Sequence, residues 1–206
     1  MTRITAAVFD LGGVLIDWNP EYLYEKLIPD PVRRHEFLTT VCTSEWNYEM
    51  DQGRAVPEAV ESLAATHHEA APLIEAWWTR WSEMLGGEVP GTLAIVEALA
   101  RTGLPLYGLT NWSAETWPRG VERFPFLEEL FDGIVVSGRE RVAKPDPQVF
   151  EILNRRYGLD PAATAFVDDS PANIETADAL GYATHRFTGA GLLRDWFSEI
   201  GLLIAS

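Results

Sequence analysis

Apolar residues gather along the chain in two patterns. Short unbroken runs stop abruptly at polar residues. Ile4–Phe9 (ITAAVF) ends at Asp10, followed by Gly12-Gly13, and Leu104–Leu109 (LPLYGL) ends at Thr110-Asn111. Ile134–Val136 lies between Gly133 and Ser137-Gly138, Thr164–Val167 (TAFV) ends at Asp168-Asp169, and Ala183–Phe187 is a fifth run. The first four lack period-2 alternation, which predicts strands buried on both faces of a parallel sheet. Between them, Thr92–Thr102, Pro147–Tyr157 and Pro171–Leu180 carry apolar residues at helical spacing, each with glycine just beyond its end. The alternation predicts an α/β fold, with a doubly wound, mostly parallel, Rossmann-like sheet.

Residues 17–87 break this rhythm. Helical patterns occur at Glu21–Leu27, Val32–Thr39, Glu45–Asp51, Pro57–Thr66 and Ala71–Leu85, and no strand is predicted there. The simplest reading is a helical insert after the first strand. It divides the chain into an α/β core, 1–16 and 88–206, and a helical domain, 17–87. Gly86-Gly87-Glu88-Val89-Pro90 is the expected hinge.

Composition narrows the function. The 206 residues include 16 Lys plus Arg against 31 Asp plus Glu, a net charge of −15. Nucleic acid and anionic membranes select basic faces, so neither is an expected partner. No apolar run reaches bilayer length, and the start MTRITAAVFDLGG lacks a signal-peptide pattern, so a cytoplasmic location is expected. Cys42 stands alone, which excludes an internal disulfide and a cysteine-built metal site; it reads as a small core residue. His35, His67, His68 and His185 have no metal-ligand spacing and read as surface residues, and Trp77, Trp78 and Trp81 read as packing within one helix.

Ligands of open α/β sheets bind at the carboxyl ends of the strands. Here those ends carry Asp10, Thr110, Asn111, Asp168 and Asp169, and Lys144 lies in the loop VAKPDP after the third strand. Three converging carboxylates raise one another's pKa values unless a cation joins them, and Mg²⁺ suits an all-oxygen donor set. A hydroxyl, backbone N–H groups and a lysine beside that ion make a phosphate site.

The strings FDLGGVL, LTN, AKPDP and FVDDSPANIETA, in that order, resemble the four motifs of the haloacid dehalogenase-like (HAD) hydrolase superfamily. The insert between the first two is similar to the α-helical cap of its cap-one branch. FDLGGVL, TN–W, KP and DDSPANIE are most similar to the subgroup of bacterial α-glucose-1-phosphate phosphatase. The resemblance implies a Mg²⁺-dependent phosphatase acting on a small phosphorylated metabolite, sugar phosphates among the candidates. Asp10 would be the nucleophile and form an aspartyl-phosphate. Asp169 and the Gly12 carbonyl would join Asp10 on Mg²⁺, with Asp168 as a second acid. Thr110 and the Asn111 N–H would bind phosphoryl oxygens, and Lys144 would neutralise nucleophile and phosphate. Asn173 would hold a metal-bound water. Trp18 and Trp112, each shortly after a motif, are candidate walls of the substrate site.

One departure matters. The family's phosphatases carry an aspartate, their general acid and base, two residues after the nucleophile; here that residue is Gly12. Such help is worth about 10²–10⁴-fold. Another group or water supplies the proton, or the leaving group is a good one such as an anomeric oxygen, or catalysis is poor. Two alternatives stay open: a metal-free 2-haloacid dehalogenase, and a non-catalytic binding protein on the same scaffold. A response-regulator receiver fits less well, because its acidic pair precedes its phosphoacceptor and it has no helical insert. Oligomeric state is not legible.

Overall fold

The computed structural model describes residues 3–202. Strand β1 (Ala6–Phe9) is followed by β2 (Ile16–Trp18) and then by α1 (Glu21–Leu27), α2 (Pro31–Thr40), α3 (Ser44–Asp51), α4 (Val56–Thr66) and α5 (Ala71–Thr79). A 3₁₀ turn (Trp81–Met84) leads into β3 (Leu85–Glu88), α6 (Thr92–Arg101) and β4 (Leu106–Thr110). Next come α7 (Trp117–Arg123), α8 (Phe126–Glu129), β5 (Gly133–Val136), α9 (Ser137–Glu140) and α10 (Pro147–Tyr157). Then β6 (Thr164–Asp168), α11 (Pro171–Ala179), β7 (Ala183–Arg186) and α12 (Ala190–Glu199) complete the order.

The main sheet has the order β5-β4-β1-β6-β7 with every neighbouring pair parallel. The three central strands, β4, β1 and β6, bury both faces, as their unbroken apolar runs predict, whereas the edge strand β7 stays partly exposed. Ala7, Phe9, Ala165 and Val167 face one way, toward Ile95, Val96 and Leu99 of α6 and Leu193 and Phe197 of α12. Val8, Leu109 and Phe166 face the other, toward Val149, Phe150 and Leu153 of α10 and Ala177 of α11. Phe150 and Phe166 meet with ring centroids 5.3 Å apart. Each such buried ring contributes about 1.5–3 kcal/mol, so the sheet is clamped from both sides.

Strand order decides the site. β1 lies between β4 and β6, so the carboxyl ends of three adjacent strands bring Asp10, Thr110 and Asp168 side by side. The chain's connections also change sides at β1, the position where open α/β sheets bind ligands.

Two sequence expectations are corrected between residues 16 and 88. Ile16–Trp18 and Leu85–Glu88 are strands, paired antiparallel with Ile16 opposite Glu88. They are three and four residues long, too short for a periodic signal, and form only because the helices between them return the chain to its start. Gly86-Gly87 therefore sit in a strand. The predicted helix Ala71–Leu85 stops at Thr79. Arg80 leaves the helix, and its guanidinium grips Glu83 at 2.6 Å across the following turn. The helices between β2 and β3 pack around Trp77, whose ring lies 5.2 Å from Trp46 and 6.1 Å from Tyr24. That cluster is continuous with the core beneath the sheet. α7, α8, α9 and α12 were not predicted; the first three are short, with seven, four and four residues.

Candidate active site

Asp10 follows β1, and its N–H donates to the Val167 carbonyl at 2.8 Å, fixing it beside β6. Its Oδ1 accepts the Leu11 N–H at 2.7 Å and lies 3.0 Å from Lys144 Nζ. Among the described residues its Oδ2 makes no hydrogen bond, so one oxygen is left for chemistry. Burial, opposed by Lys144 and reinforced by the Asp168 and Asp169 charges, pushes the Asp10 carboxyl up to about 7.

Lys144 is 1% exposed and pairs with two carboxylates, Asp10 and, at 2.6 Å, Asp168. Burial works against its charge, but the two acids outweigh it and hold Lys144 above the ordinary lysine value. Its backbone is clipped as well. Asn111 Oδ1 accepts the Lys144 N–H and Asn111 Nδ2 donates to the Lys144 carbonyl, both at 2.9 Å. Tyr48, from α3, donates to the same carbonyl at 3.0 Å. The Asn111 side chain thus holds the lysine loop, a role that Leu-Thr-Asn does not reveal as a string.

Asp168 is fully buried and saturated. Its Oδ2 accepts from Lys144, its Oδ1 from the Ser170 N–H at 2.9 Å, and Asn173 Nδ2 donates to both oxygens at 2.9 and 3.0 Å. The amide nitrogen of Asn173, the residue expected to hold a metal-bound water, is a partner of Asp168. Asp169 is exposed toward solvent. Burial of its carboxyl, and then the Asp168 charge, raise its pKa.

Oxygens of Asp10, Asp168 and Asp169 lie within 4.8 Å of one another. Lys144 compensates one of the three charges and leaves two. The donor set, oxygen only and doubly negative, fits a hard divalent cation. Thr110 Oγ1, at the end of β4, is buried with no hydrogen-bond partner among the described residues. An orphaned hydroxyl is costly unless a ligand satisfies it, and a phosphoryl oxygen does so.

The two glycines after Asp10 differ. Gly13 has φ +75°, and a Cβ there would sit 2.8 Å from Asp169 Oδ2, so the turn needs glycine to let that acid approach. A Cβ on Gly12 would meet nothing within 4 Å. Gly13→Ala is therefore expected to cost about 1–2 kcal/mol and to displace Asp169, while Gly12→Ala leaves stability within about 0.5 kcal/mol. Thermal unfolding of both variants checks this, and equal losses would contradict it.

Gly12 opens onto a small cavity between the helical insert and the sheet. Trp18 and Trp112 line it together with Trp77 and Trp81. The expected grouping of Trp77, Trp78 and Trp81 as one packing helix is corrected: Trp81 lies in the 3₁₀ turn, and only Trp78 stays off the cavity, under the Arg119 guanidinium at 3.8 Å. The indole nitrogens of Trp18 and Trp112 have no partner among the described residues. Asn47, Met50 and Asp51 of α3 complete the inner wall. The sequence reading missed them, although their i, i+3, i+4 spacing puts all three on one helix face.

Other candidates fall away. Cys42 is buried, and burial pushes its thiol up to about 12, far from nucleophilic. His35, His67 and His68 are exposed as expected, but His185 is half-buried and stacks on Trp196 at 5.0 Å. No helix among the described residues is long and apolar enough to cross a membrane.

The chain is similar to known proteins along most of its length. A sesquiterpene phosphatase from Aspergillus oryzae is 29% identical over 87% of this chain and 88% of its own length. A phosphorylated carbohydrates phosphatase from Thermotoga maritima is 24% identical over 85% of this chain and 81% of its own. Among solved structures, a HAD family enzyme from Bacteroides thetaiotaomicron, in complex with magnesium and inorganic phosphate, superimposes with a TM-score of 0.71. It is 24% identical and covers 90% of this chain and 95% of its own. The family model described as haloacid dehalogenase-like hydrolase matches residues 4–181, the stretch that contains every strand of the sheet up to β6 and all the acids of the site. The chain belongs to the haloacid dehalogenase-like hydrolases.

Proposed function

We propose that this hydrolase is a Mg²⁺-dependent phosphatase that takes the phosphoryl group of a small monoester onto Asp10. The observation that carries this reading is the meeting of Asp10, Asp168 and Asp169 oxygens around a buried, doubly paired lysine. Asp10, Asp169 and the Gly12 carbonyl would hold the ion; when bound, Mg²⁺ lowers the repulsion between carboxylates and an anionic substrate. Asp168, its oxygens already taken, would position Lys144 rather than bind metal directly.

In this mechanism the unshared Asp10 oxygen attacks phosphorus, and the ester P–O bond breaks toward the leaving oxygen. Thr110 Oγ1 and Lys144 Nζ bind the equatorial oxygens, on which charge accumulates. Water then attacks the phosphorus of the aspartyl-phosphate, and phosphate leaves. A buried lysine, held between two carboxylates, keeps its geometry through both steps.

We assign residues 17–87 as the cap and 1–16 with 88–206 as the core. The cap's contribution to the cavity is Trp18, Asn47, Met50, Asp51, Trp77 and Trp81. Those walls suit the organic part of a substrate presenting apolar surface, whether a hydrocarbon or the flat face of a sugar. Relatives named for sesquiterpene and for carbohydrate phosphates span that range. A dehalogenase, whose chemistry needs no metal, gains nothing from Asp169 beside Asp10.

The test is a panel of isoprenoid, aryl, sugar-1- and sugar-6-phosphates with added Mg²⁺ or with chelator. Hydrolysis of at least one class that vanishes in chelator and returns with Mg²⁺ is expected. Release of halide from 2-haloacids in chelator, with no phosphate released in Mg²⁺, would replace the proposal.

A further inference from the structure

The phosphatase reading leaves the leaving oxygen without a proton donor, since Gly12 has no side chain. The cavity onto which Gly12 opens also carries a carboxyl. Asp51, the last residue of α3, lines the same cavity as Gly12. We propose that Asp51 is the general acid and base of this enzyme, delivered from the helical insert and not from the turn after the nucleophile. The proposal rests on the phosphatase reading.

Three observations support it. The space next to Gly12 is open, since a Cβ there would meet nothing within 4 Å, so the turn itself puts no side chain beside the nucleophile. Asp51 is held but not neutralised: Asn47 Nδ2 donates to its Oδ2 at 3.1 Å, and among the described residues no Lys or Arg pairs with it. The cavity it lines is mostly apolar, with Met50, Val56, Trp77 and three further tryptophans, and its other polar side chains, Asn111, Ser113 and Thr116, carry no charge. That setting also has the right effect on its proton. Burial, and then the negative charge of Asp10, push the Asp51 carboxyl up to about 7. A carboxyl that keeps its proton near neutral pH can give it away in the first step.

The atoms balance over two steps. The Asp10 oxygen forms a bond to phosphorus as the ester P–O bond breaks, and its electron pair goes to the leaving oxygen. Asp51 passes its proton to that oxygen, releasing a neutral alcohol and leaving Asp51 as carboxylate. Water enters where the alcohol left. The Asp51 carboxylate takes a proton from it as the water oxygen bonds to phosphorus and the Asp10–phosphorus bond breaks. Phosphate departs, and Asp51 is protonated again. One group at one place serves both steps because both exchange partners occupy that place.

The test uses full-length protein with Mg²⁺ and phosphate monoesters matched in shape but graded in leaving-group pKa, from nitrophenol to alkyl alcohols. The wild-type rate should depend only weakly on leaving-group pKa. Asp51→Asn should lose about 10²–10⁴-fold on alkyl esters and far less on the first step with the nitrophenyl ester. With that ester the variant should accumulate covalent phosphoenzyme, visible by intact-protein mass, since water attack has lost its base. Gly12→Asp, for which the turn has room, should restore turnover to Asp51→Asn. An equal loss on every ester, or no loss, would overturn the proposal. Should Asp51→Asn not fold, Gly12→Asp alone decides. An added acid leaves the wild-type slope unchanged if Asp51 already serves, and flattens a steep slope if nothing does. A wild-type protein that hydrolyses no ester refutes the phosphatase reading itself, a result distinct from any of these.

Discussion

Asp10→Asn protein should fold normally and lose about 10⁴-fold or more of its phosphatase activity. The amide keeps an oxygen for the Leu11 N–H and for Lys144, the two partners of Oδ1 in the native site. What disappears is the second oxygen, the one that attacks phosphorus. Stability in chelator should be unchanged or higher, because a carboxylate whose pKa burial has raised to about 7 is a cost that the amide removes. Steady-state kinetics and thermal unfolding on the same preparation separate the two effects. Substantial turnover by the purified variant would remove Asp10 from the chemistry.

Lys144→Met is expected to damage stability as well as activity. The lysine is 1% exposed and is the shared partner of Asp10 and Asp168. Removing one member of a buried ion pair costs about 3–5 kcal/mol, because the carboxylates left behind stay desolvated. The pH dependence has a definite sign. Lys144 has a raised native pKa, so its contribution holds below the ordinary 10.5 and is lost as pH rises through the native value. Asp10 is also raised, from 3.8 to about 7, so the metal-free protein loses stability as pH climbs through that interval. A cation binds the ionised form. Stabilisation by Mg²⁺, read as a melting-temperature shift, should therefore be larger above pH 7 than below it. Equal shifts on both sides would mean that Asp10 is not a ligand.

Much of this was legible in the chain. Apolar runs that stop at Asp10, Thr110 and Asp168 announce strand ends, and the parallel fold collects strand ends in one place. Asp10, Asp168 and Asp169, the acids at strand ends, could be named from sequence for that reason. What was not legible depends on tertiary pairing. Ile16–Trp18 becomes a strand only because Leu85–Glu88 lies against it, some seventy residues away. The grip of the Asn173 amide nitrogen on Asp168, set by the start of α11, is likewise invisible in the string. Asp51 ends a helix of mixed composition, SEWNYEMD, and reads as an ordinary surface acid. Only the folded chain reveals that it lines the cavity onto which Gly12 opens. The cavity had the same character: Trp18 and Trp112 were flagged by their distance from motifs, whereas Trp77 and Trp81 needed the break at Arg80 to point them inward.

The most direct measurement is to mix the enzyme with Mg²⁺ and an aryl phosphate, quench in acid during the first turnovers, and locate the phosphoryl group by peptide mass. The account predicts a single acid-stable, base-labile acyl phosphate on the peptide that carries Asp10, absent from Asp10→Asn. Phosphate released with no covalent species at any quench time, or a phosphoryl group on another residue, would contradict it.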